Sequence, residues 1–166
     1  EGTRNTIRIQ RLKDKLGNHA NASSEIEYLD TWAPLVGEEG SGVKTIIEMV
    51  HHTRLDASLA NASLMRQAIV QATHHCAGRA AFGRRLIDQP LMRQVLADLY
   101  LESEAATWMT LRVAHAFDAQ HVAPTEAKRT QEAKFARIAT AISKYWVCKR
   151  TPAQVYEAME CHGGAG

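Results

Sequence analysis

Apolar and small residues recur every three or four positions after residue 40, which is typical of helices that bury one face. The first series runs from Ser41 to about residue 78 and contains Val43, Ile46, Ile47, Val50, Ala57, Ala60, Leu64, Ala68, Ala72 and Cys76. Charged or polar residues occupy the other faces, among them Lys44, Glu48, His52 and Asp56. The pattern therefore predicts one long first helix.

Two further helices are predicted from the same spacing. One begins near Pro90, since proline suits a first helical turn, and ends before 121–124; its apolar face holds Met92, Val95, Leu96, Leu99, Ala106, Met109, Val113 and Phe117. The next runs from about Thr125 to Lys149 and aligns Ala127, Phe135, Ile138, Ala139, Ile142 and Trp146.

A fourth helix is predicted to start at Thr151-Pro152-Ala153-Gln154, which has the form of a capping box with proline at the first helical position. It would end at Gly163 and Gly164. Four amphipathic helices with short connections predict a mainly α protein, an antiparallel four-helix bundle over 41–166. Its expected core is Ile46, Val50, Leu64, Leu96, Leu99, Val113, Ile138 and Ile142.

The first forty residues follow a different pattern. Thr6–Gln10 and Glu25–Tyr28 alternate with period two, and Gly17-Asn18 supplies a turn between them. We expect two or three short strands here, followed by a glycine-rich loop. Two strands are marginally stable alone, so residues 1–40 are expected to belong to a larger sheet.

Composition narrows the class of protein. With 166 residues, 45% of them hydrophobic, the chain is long enough for one domain with a core. Its 20 basic and 18 acidic residues give a net charge of +2, which supplies no electrostatic reason to expect nucleic acid or an anionic membrane as partner. Three widely spaced cysteines without a CxxC motif indicate a reducing compartment. Without a signal-peptide core or a membrane-length apolar run, a cytoplasmic protein is expected.

Metal chemistry receives little support. Glu48 and His51 form an E-x-x-H on a helix, the spacing used in di-iron bundles, but the nearest repeat is Asp118 with His121 at a helix end. An ordinary solvated pair is favoured. Adjacent histidines in the pairs 51–52 and 74–75 point about 100° apart on a helix, which is poor geometry for chelation. We expect no metal site.

Three segments are candidates for ligand binding, each with a plain structural alternative. Arg79, Phe82 and Gly83 lie in a hinge before Gln89 and combine a donor fork, a ring face and a permissive backbone. Glu160, Gly163 and Gly164 either approach a ligand or simply cap a helix. Arg54 either binds an anion or pairs with Asp56 or Glu48. Composition alone leaves these alternatives open.

The ordered set of motifs resembles the acyl-CoA dehydrogenase family over essentially the whole chain. The set comprises Arg11–Gly17, Leu35–Gly40, Arg79–Leu86 with its R-x-x-F-G, Gln89 and Glu160–Gly164. The segments Leu16–Ser23 and Tyr145–Arg150 are most similar to the AidB-like branch of adaptive-response flavoproteins within it.

The resemblance implies a fold and a cofactor. Residues 1–40 would be the end of a middle β-domain and 41–166 most of a carboxy-terminal helical bundle. The family binds FAD between subunits of a homo-oligomer, a dimer or tetramer, and removes hydrogens from the α and β carbons of an acyl thioester. By correspondence, Arg79, Phe82, Gln89, Glu160, Gly163 and Gly164 would contact FAD and Arg54 would lie on the substrate side. The family commonly has glutamine at Glu160 and aspartate at His51.

The catalytic residue is unknown, because the chain has no glutamate at either family position for the base; Thr53 occupies one of them. We therefore expect this length of chain to be inactive and colourless by itself. The alternatives are an alkylation-response flavoprotein that binds DNA and a helical bundle acting only in assembly.

Overall fold

The computed structural model describes residues 2–166, which divide into two compact units, one reaching Thr45 and the other spanning Ile46–Gly166. In the first unit, β1 (Ile7–Leu12) and β2 (Ser24–Tyr28) pair antiparallel, with a bulge between Ile9 and Arg11. Ile7 and Ile9 are about half exposed. The two predicted strands are confirmed, but both faces of the strand pair are exposed within the described unit.

A glycine loop closes the first unit. Gly37 has φ +84°, and a Cβ at this position would lie 2.6 Å from Thr45 Oγ1. Any larger residue would meet both a steric clash and an unfavourable backbone conformation. Gly37 is therefore required by the loop itself.

Three long helices dominate the rest of the chain: α1 (Gly42–Gly78), α2 (Pro90–Val122) and α3 (Glu126–Glu160). Between α1 and α2 lie two very short strands, β3 (Ala80–Ala81) and β4 (Arg84–Arg85), and a 3₁₀ turn at Leu86–Asp88. A second 3₁₀ turn spans Gly163–Ala165. No helix in the described chain is both long and apolar enough to cross a bilayer.

Contacts between side chains define the helix directions. Arg66 of α1 pairs with Glu104 of α2, and Arg112 of α2 pairs with Glu132 near the start of α3. Consecutive helices therefore run antiparallel. Because each consecutive pair reverses direction, α1 and α3 run parallel.

The mainly α fold is confirmed, but the four-helix count is wrong. The predicted third and fourth helices form the single helix α3, with Pro152 inside it. Thr151 does not cap a new helix; its hydroxyl donates to the Val147 carbonyl at 2.8 Å, and the residue is 5% exposed. Burial of Thr151 against neighbouring helices holds the chain helical through a proline that removes one backbone hydrogen bond.

Half of the predicted core is also wrong. Leu96, Leu99 and Val113 are buried as expected, and Val50 is partly buried. The other four residues are about half exposed or more, namely Ile46, Leu64, Ile138 and Ile142. The buried stripe of α1 consists of Ser58, Ala62, Met65, Ile69, Ala72 and Cys76. It shares Ala72 and Cys76 with the predicted apolar face, but Met65 and Ile69 are buried where Leu64 and Ala68 were expected.

Small and polar side chains fill the interior between the helices. Ser103 and Thr110 of α2 and Thr140, Ser143 and Thr151 of α3 are each at most 5% exposed. The three threonine hydroxyls each donate to the backbone carbonyl one turn earlier, as Thr140 does to Ala136. The Ser103 and Ser143 hydroxyls have no hydrogen-bond partner within residues 2–166. Small residues let the helices approach closely, and Met65, Ile69, Leu96 and Leu99 fill the interior beside them.

Candidate functional site

The hinge after α1 folds as a miniature β-hairpin. Ala81 pairs with Arg84, which leaves Phe82 and Gly83 as a two-residue turn. Both have positive φ, +55° for Phe82 and +81° for Gly83, as a type I′ turn requires. Glycine accepts this conformation readily, whereas a phenylalanine is strained in it.

Phe82 is the most informative residue of this hairpin. It is 94% exposed, so neither its ring nor its backbone conformation is stabilised by packing within the described chain. A strained and fully exposed aromatic residue is expected where something outside the chain uses it. The turn thus presents an uncovered ring face on the surface of the described chain.

The backbone around Arg79 is firmly held while its side chain is not. The Arg79 N–H donates to the His75 carbonyl at 2.9 Å, and the Arg79 carbonyl accepts from Leu86 N–H at 2.8 Å. Within residues 2–166 the guanidinium makes no ion pair or hydrogen bond. Its donor fork is available to an anion.

Gln89 and Glu160 meet Phe82 in one cleft. The cleft, of about 350 Å³, is lined by Phe82, Leu86, Gln89, Leu91, Met92, Val95, Glu157, Glu160 and Cys161. The Gln89 amide N–H donates to the Ala81 carbonyl at 3.2 Å, which ties the start of α2 to the hairpin. Its side-chain oxygen stays free to accept a hydrogen bond.

Gly163 and Gly164 lie just past α3. Gly163 has φ +60°, and no atom lies within 4 Å of a Cβ built on either glycine. Packing within the chain therefore does not demand the absence of a side chain at Gly164. A ligand that comes close to the backbone would explain why Gly164 has no side chain.

Arg54 does not share this cleft. It lies in α1, 24 residues before Gly78, which corresponds to about 36 Å along the helix axis. Arg54 makes no ion pair within residues 2–166, with either Asp56 or Glu48. The His51 ring, one turn earlier, faces Phe117 of α2 at 6.4 Å. Of the candidate residues, the structure thus brings Phe82, Gln89 and Glu160 together in one cleft, whereas Arg79, Gly163, Gly164 and Arg54 are not part of its lining.

Two buried cysteines lie close together here: Cys161 lines the cleft, and the Cys76 thiol faces the Cys161 carbonyl oxygen. Burial, with smaller contributions from Cys76 and Glu157, raises the pKa of Cys161 to about 11. Burial also raises the pKa of Cys76. Both thiols stay protonated at neutral pH, so neither provides a nucleophile.

The sequence did not identify the apolar wall of the cleft or one cross-helix histidine pair. That wall consists of Leu86, Leu91 and Met92. The only sign in the sequence that they line the cleft is their closeness to the hinge. His75 faces His162 with ring centres 4.9 Å apart, and the spacing of residues along one helix does not signal a contact between two helices. Within residues 2–166 no three His, Cys, Asp or Glu side chains converge as a metal centre.

The sequence matches a known family. Residues 40–166 match the family described as acyl-CoA dehydrogenase, C-terminal domain. The whole chain is 44% identical to the Escherichia coli (strain K12) protein AidB, which carries an acyl-CoA dehydrogenase name, and it spans 29% of that protein.

Solved structures have the same fold. The Caenorhabditis elegans protein ACDH-11, in a complex with C11-CoA, superposes with a TM-score of 0.88 at 27% identity, over 97% of this chain and 27% of that one. Butyryl-CoA dehydrogenase from Megasphaera elsdenii gives a TM-score of 0.78 at 24% identity, over 96% and 39%. The chain thus spans between about a quarter and two fifths of these relatives.

Proposed function

The chain belongs to the acyl-CoA dehydrogenase family, and from that premise we propose that it forms one wall of an FAD site. The intact protein would catalyse α,β-dehydrogenation of an acyl thioester. In this proposal residues 1–40 are the end of a β-domain and residues 41–166 are part of the helical domain.

The shared cleft carries the proposal. Phe82, Gln89 and Glu160 come from the hairpin, the start of α2 and the end of α3, yet they line one cavity. An exposed aromatic face, an amide and a carboxylate together suit the polar and aromatic parts of a flavin nucleotide. Since Glu160 only accepts hydrogen bonds when ionised, it would contact a donor group such as a hydroxyl.

Each residue would have a distinct task. Arg79 would hold the pyrophosphate, because a guanidinium binds two phosphate oxygens in a fixed geometry. Phe82 would cover a ring, and Gly163 and Gly164 would let the backbone approach. Bound FAD would supply the hydride-accepting chemistry that side chains lack.

Arg54 is proposed to face the substrate. Its guanidinium makes no ion pair within residues 2–166 and lies far from Arg79 along α1, as expected for a group serving another part of the active site. Thr53, just before it, cannot be the base, since its hydroxyl donates to the Val50 carbonyl at 3.0 Å and carries no carboxylate. The base is assigned to no described residue.

A homo-oligomer is proposed as the assembly, with the cleft serving a neighbouring subunit's FAD. The outer face of α2 and α3 exposes Trp108, Leu111, Ile138, Ile142 and Tyr145, each more than half exposed. Large exposed apolar side chains of this kind favour a protein contact. Three free cysteines support a cytoplasmic location.

The DNA-binding alternative gains no support. The chain's 20 basic and 18 acidic residues nearly balance, whereas DNA binding requires basic residues to neutralise phosphates. We therefore favour the dehydrogenase over that alternative and over a purely structural bundle.

The test is Arg79→Lys in a version of the protein that includes its flanking sequence. FAD affinity should fall although the charge is kept, because ammonium lacks the two-oxygen fork. Arg93→Lys, exposed on α2 outside the cleft lining, is the matched control and should bind FAD normally. Equal dissociation constants for both variants would remove the assignment. The 166-residue chain alone should show no flavin absorbance.

A further inference from the structure

A pair of histidines joins the ends of α1 and α3, outside the cleft lining. His75 lies one turn before the end of α1, and His162 lies two residues past the end of α3. Their ring centres are 4.9 Å apart and the planes are tilted by 38°. Both residues are partly buried, and the proposed FAD site uses neither of them.

One ring nitrogen of His162 has a defined role. Its Nδ1 lies 3.0 Å from the Ala158 carbonyl oxygen. A carbonyl can only accept, so Nδ1 must carry the proton and donate. The neutral ring then has its lone pair on Nε2. Metal-binding histidines commonly have this arrangement, in which a backbone carbonyl fixes the tautomer and ring orientation.

The spacing of the rings fits joint binding of one ion. A zinc ion lies about 2.1 Å from an imidazole nitrogen and hence roughly 3.2 Å from the ring centre. Two such rings at about 90–110° around the ion would have centres about 4.5–5.2 Å apart. The observed 4.9 Å lies within that range.

We propose that His75 and His162 form a two-histidine site for a divalent transition-metal ion of the zinc class. The remaining ligands would be water, because no third metal-binding side chain converges there within residues 2–166. A groove of about 580 Å³ reaches His162 between α1 and α3 and admits solvent. The neighbouring thiols are engaged elsewhere: Cys76 faces the Cys161 carbonyl and Cys161 faces the Glu157 carbonyl.

The ion would link two segments that carry candidate FAD contacts. Arg79 is tied to His75 through its backbone N–H, and Gly163 directly follows His162. An ion held by both rings fixes the end of α1 to the end of α3. The site itself does not depend on FAD, so its test uses the chain without the cofactor.

The experiment is a Zn²⁺ titration of the 166-residue chain, read by competition with a chromogenic chelator. Wild type should bind one zinc ion saturably at this site. His75→Phe and His162→Phe should each weaken binding by about tenfold or more, since the ring volume is kept and the ligand nitrogen is lost. His74→Phe, the exposed neighbour, is the control and should leave binding unchanged.

A second readout separates metal binding from plain ring packing. Zinc should raise the melting temperature of wild type and not of His162→Phe, because a ligand stabilises only the state that binds it. Unchanged zinc affinity in folded His162→Phe, confirmed by circular dichroism, would overturn the site. So would wild type that shows no saturable binding.

Discussion

Arg112 and Glu132 form a two-point ion pair between α2 and α3, with Nη1–Oε2 at 2.9 Å and Nη2–Oε1 at 3.1 Å. The Glu132 side chain is only 10% exposed. The same guanidinium lies 4.0 Å from the centre of the Phe135 ring. One arginine thereby satisfies a nearly buried carboxylate and covers an aromatic face.

Arg112→Ala should therefore destabilise the fold by about 1–3 kcal/mol, because Glu132 would be left without its partner in a poorly hydrated position. Urea unfolding monitored by circular dichroism measures the change. The matched control is Arg66→Ala, whose partner Glu104 has a side chain 52% exposed. Removing an exposed pair should change stability by about 0–1 kcal/mol. Equal losses in the two variants would argue against a special role for the α2–α3 pair.

Pro152→Ala should stabilise the protein if α3 is continuous. Proline inside a helix removes a backbone hydrogen bond and crowds the preceding turn, an effect of up to about 3 kcal/mol. Pro124→Ala, in the loop before α3, should instead lower the free energy of unfolding by about 0.4–1 kcal/mol, since proline there restricts the unfolded chain. Melting temperatures of the two variants should move in opposite directions. A loss of stability in Pro152→Ala would favour a separate fourth helix.

Cys148 should react with a thiol reagent at pH 8 well before the other two cysteines. Cys76 and Cys161 are buried, and burial raises both pKa values, that of Cys161 to about 11. Since the thiolate is the nucleophile, both should stay protected until the protein unfolds. Titration with a disulfide reagent before and after denaturation measures this. Rapid modification of all three in the folded chain would contradict the packing of α1 against α3.

The raised pKa of Cys161 makes the free energy of unfolding depend on pH. The folded-state pKa of Cys161 lies above its ordinary value of 9.0, so the unfolded chain loses the proton first. Its contribution to stability is present below pH 9 and should be lost between pH 9 and about 11. Unfolding midpoints of wild type and Cys161→Ala, compared at pH 8 and 10.5, isolate this effect: the difference between them should shrink at the higher pH.

Phe82→Asn should separate folding from cofactor binding. Asparagine tolerates positive φ better than phenylalanine, so the hairpin should gain up to about 1 kcal/mol. In the longer protein the same change should weaken FAD binding because the ring face is lost. Gly83→Ala is the complementary variant and should lower stability by about 1 kcal/mol. A clear stability loss in Phe82→Asn would show that the ring packs within the protein.

Ile138→Lys should dissociate the proposed homo-oligomer of the longer protein. Ile138 is 64% exposed on the apolar face of α2 and α3, and a buried ammonium without a partner is strongly unfavourable. Val122→Lys, 78% exposed at the end of α2, is the control outside that face. Light scattering after size-exclusion chromatography gives the mass of each. An unchanged mass for Ile138→Lys would exclude this face from the assembly.

Local chemistry made several features predictable from the sequence. The period-two stretches became β1 and β2, and the long three-and-four spacing became α1 and α2, because these patterns depend on the repeat of the backbone. The R-x-x-F-G motif located the hinge and, by resemblance, the family. Arg79, Phe82, Gln89 and Glu160 were all named from sequence and resemblance; the structure adds that the last three line one cleft.

Tertiary packing decided what local signals left open. Thr151-Pro152 looks like a helix start in isolation, but burial of Thr151 outweighs that preference and keeps α3 continuous. The buried stripe of α1 combines small residues such as Ser58 and Ala62 with Met65 and Ile69, whereas the equally bulky Leu64 is exposed. The His75–His162 pair joins residues far apart in the chain. Spacing along one helix describes its own faces, whereas only the packed helices determine which face meets which.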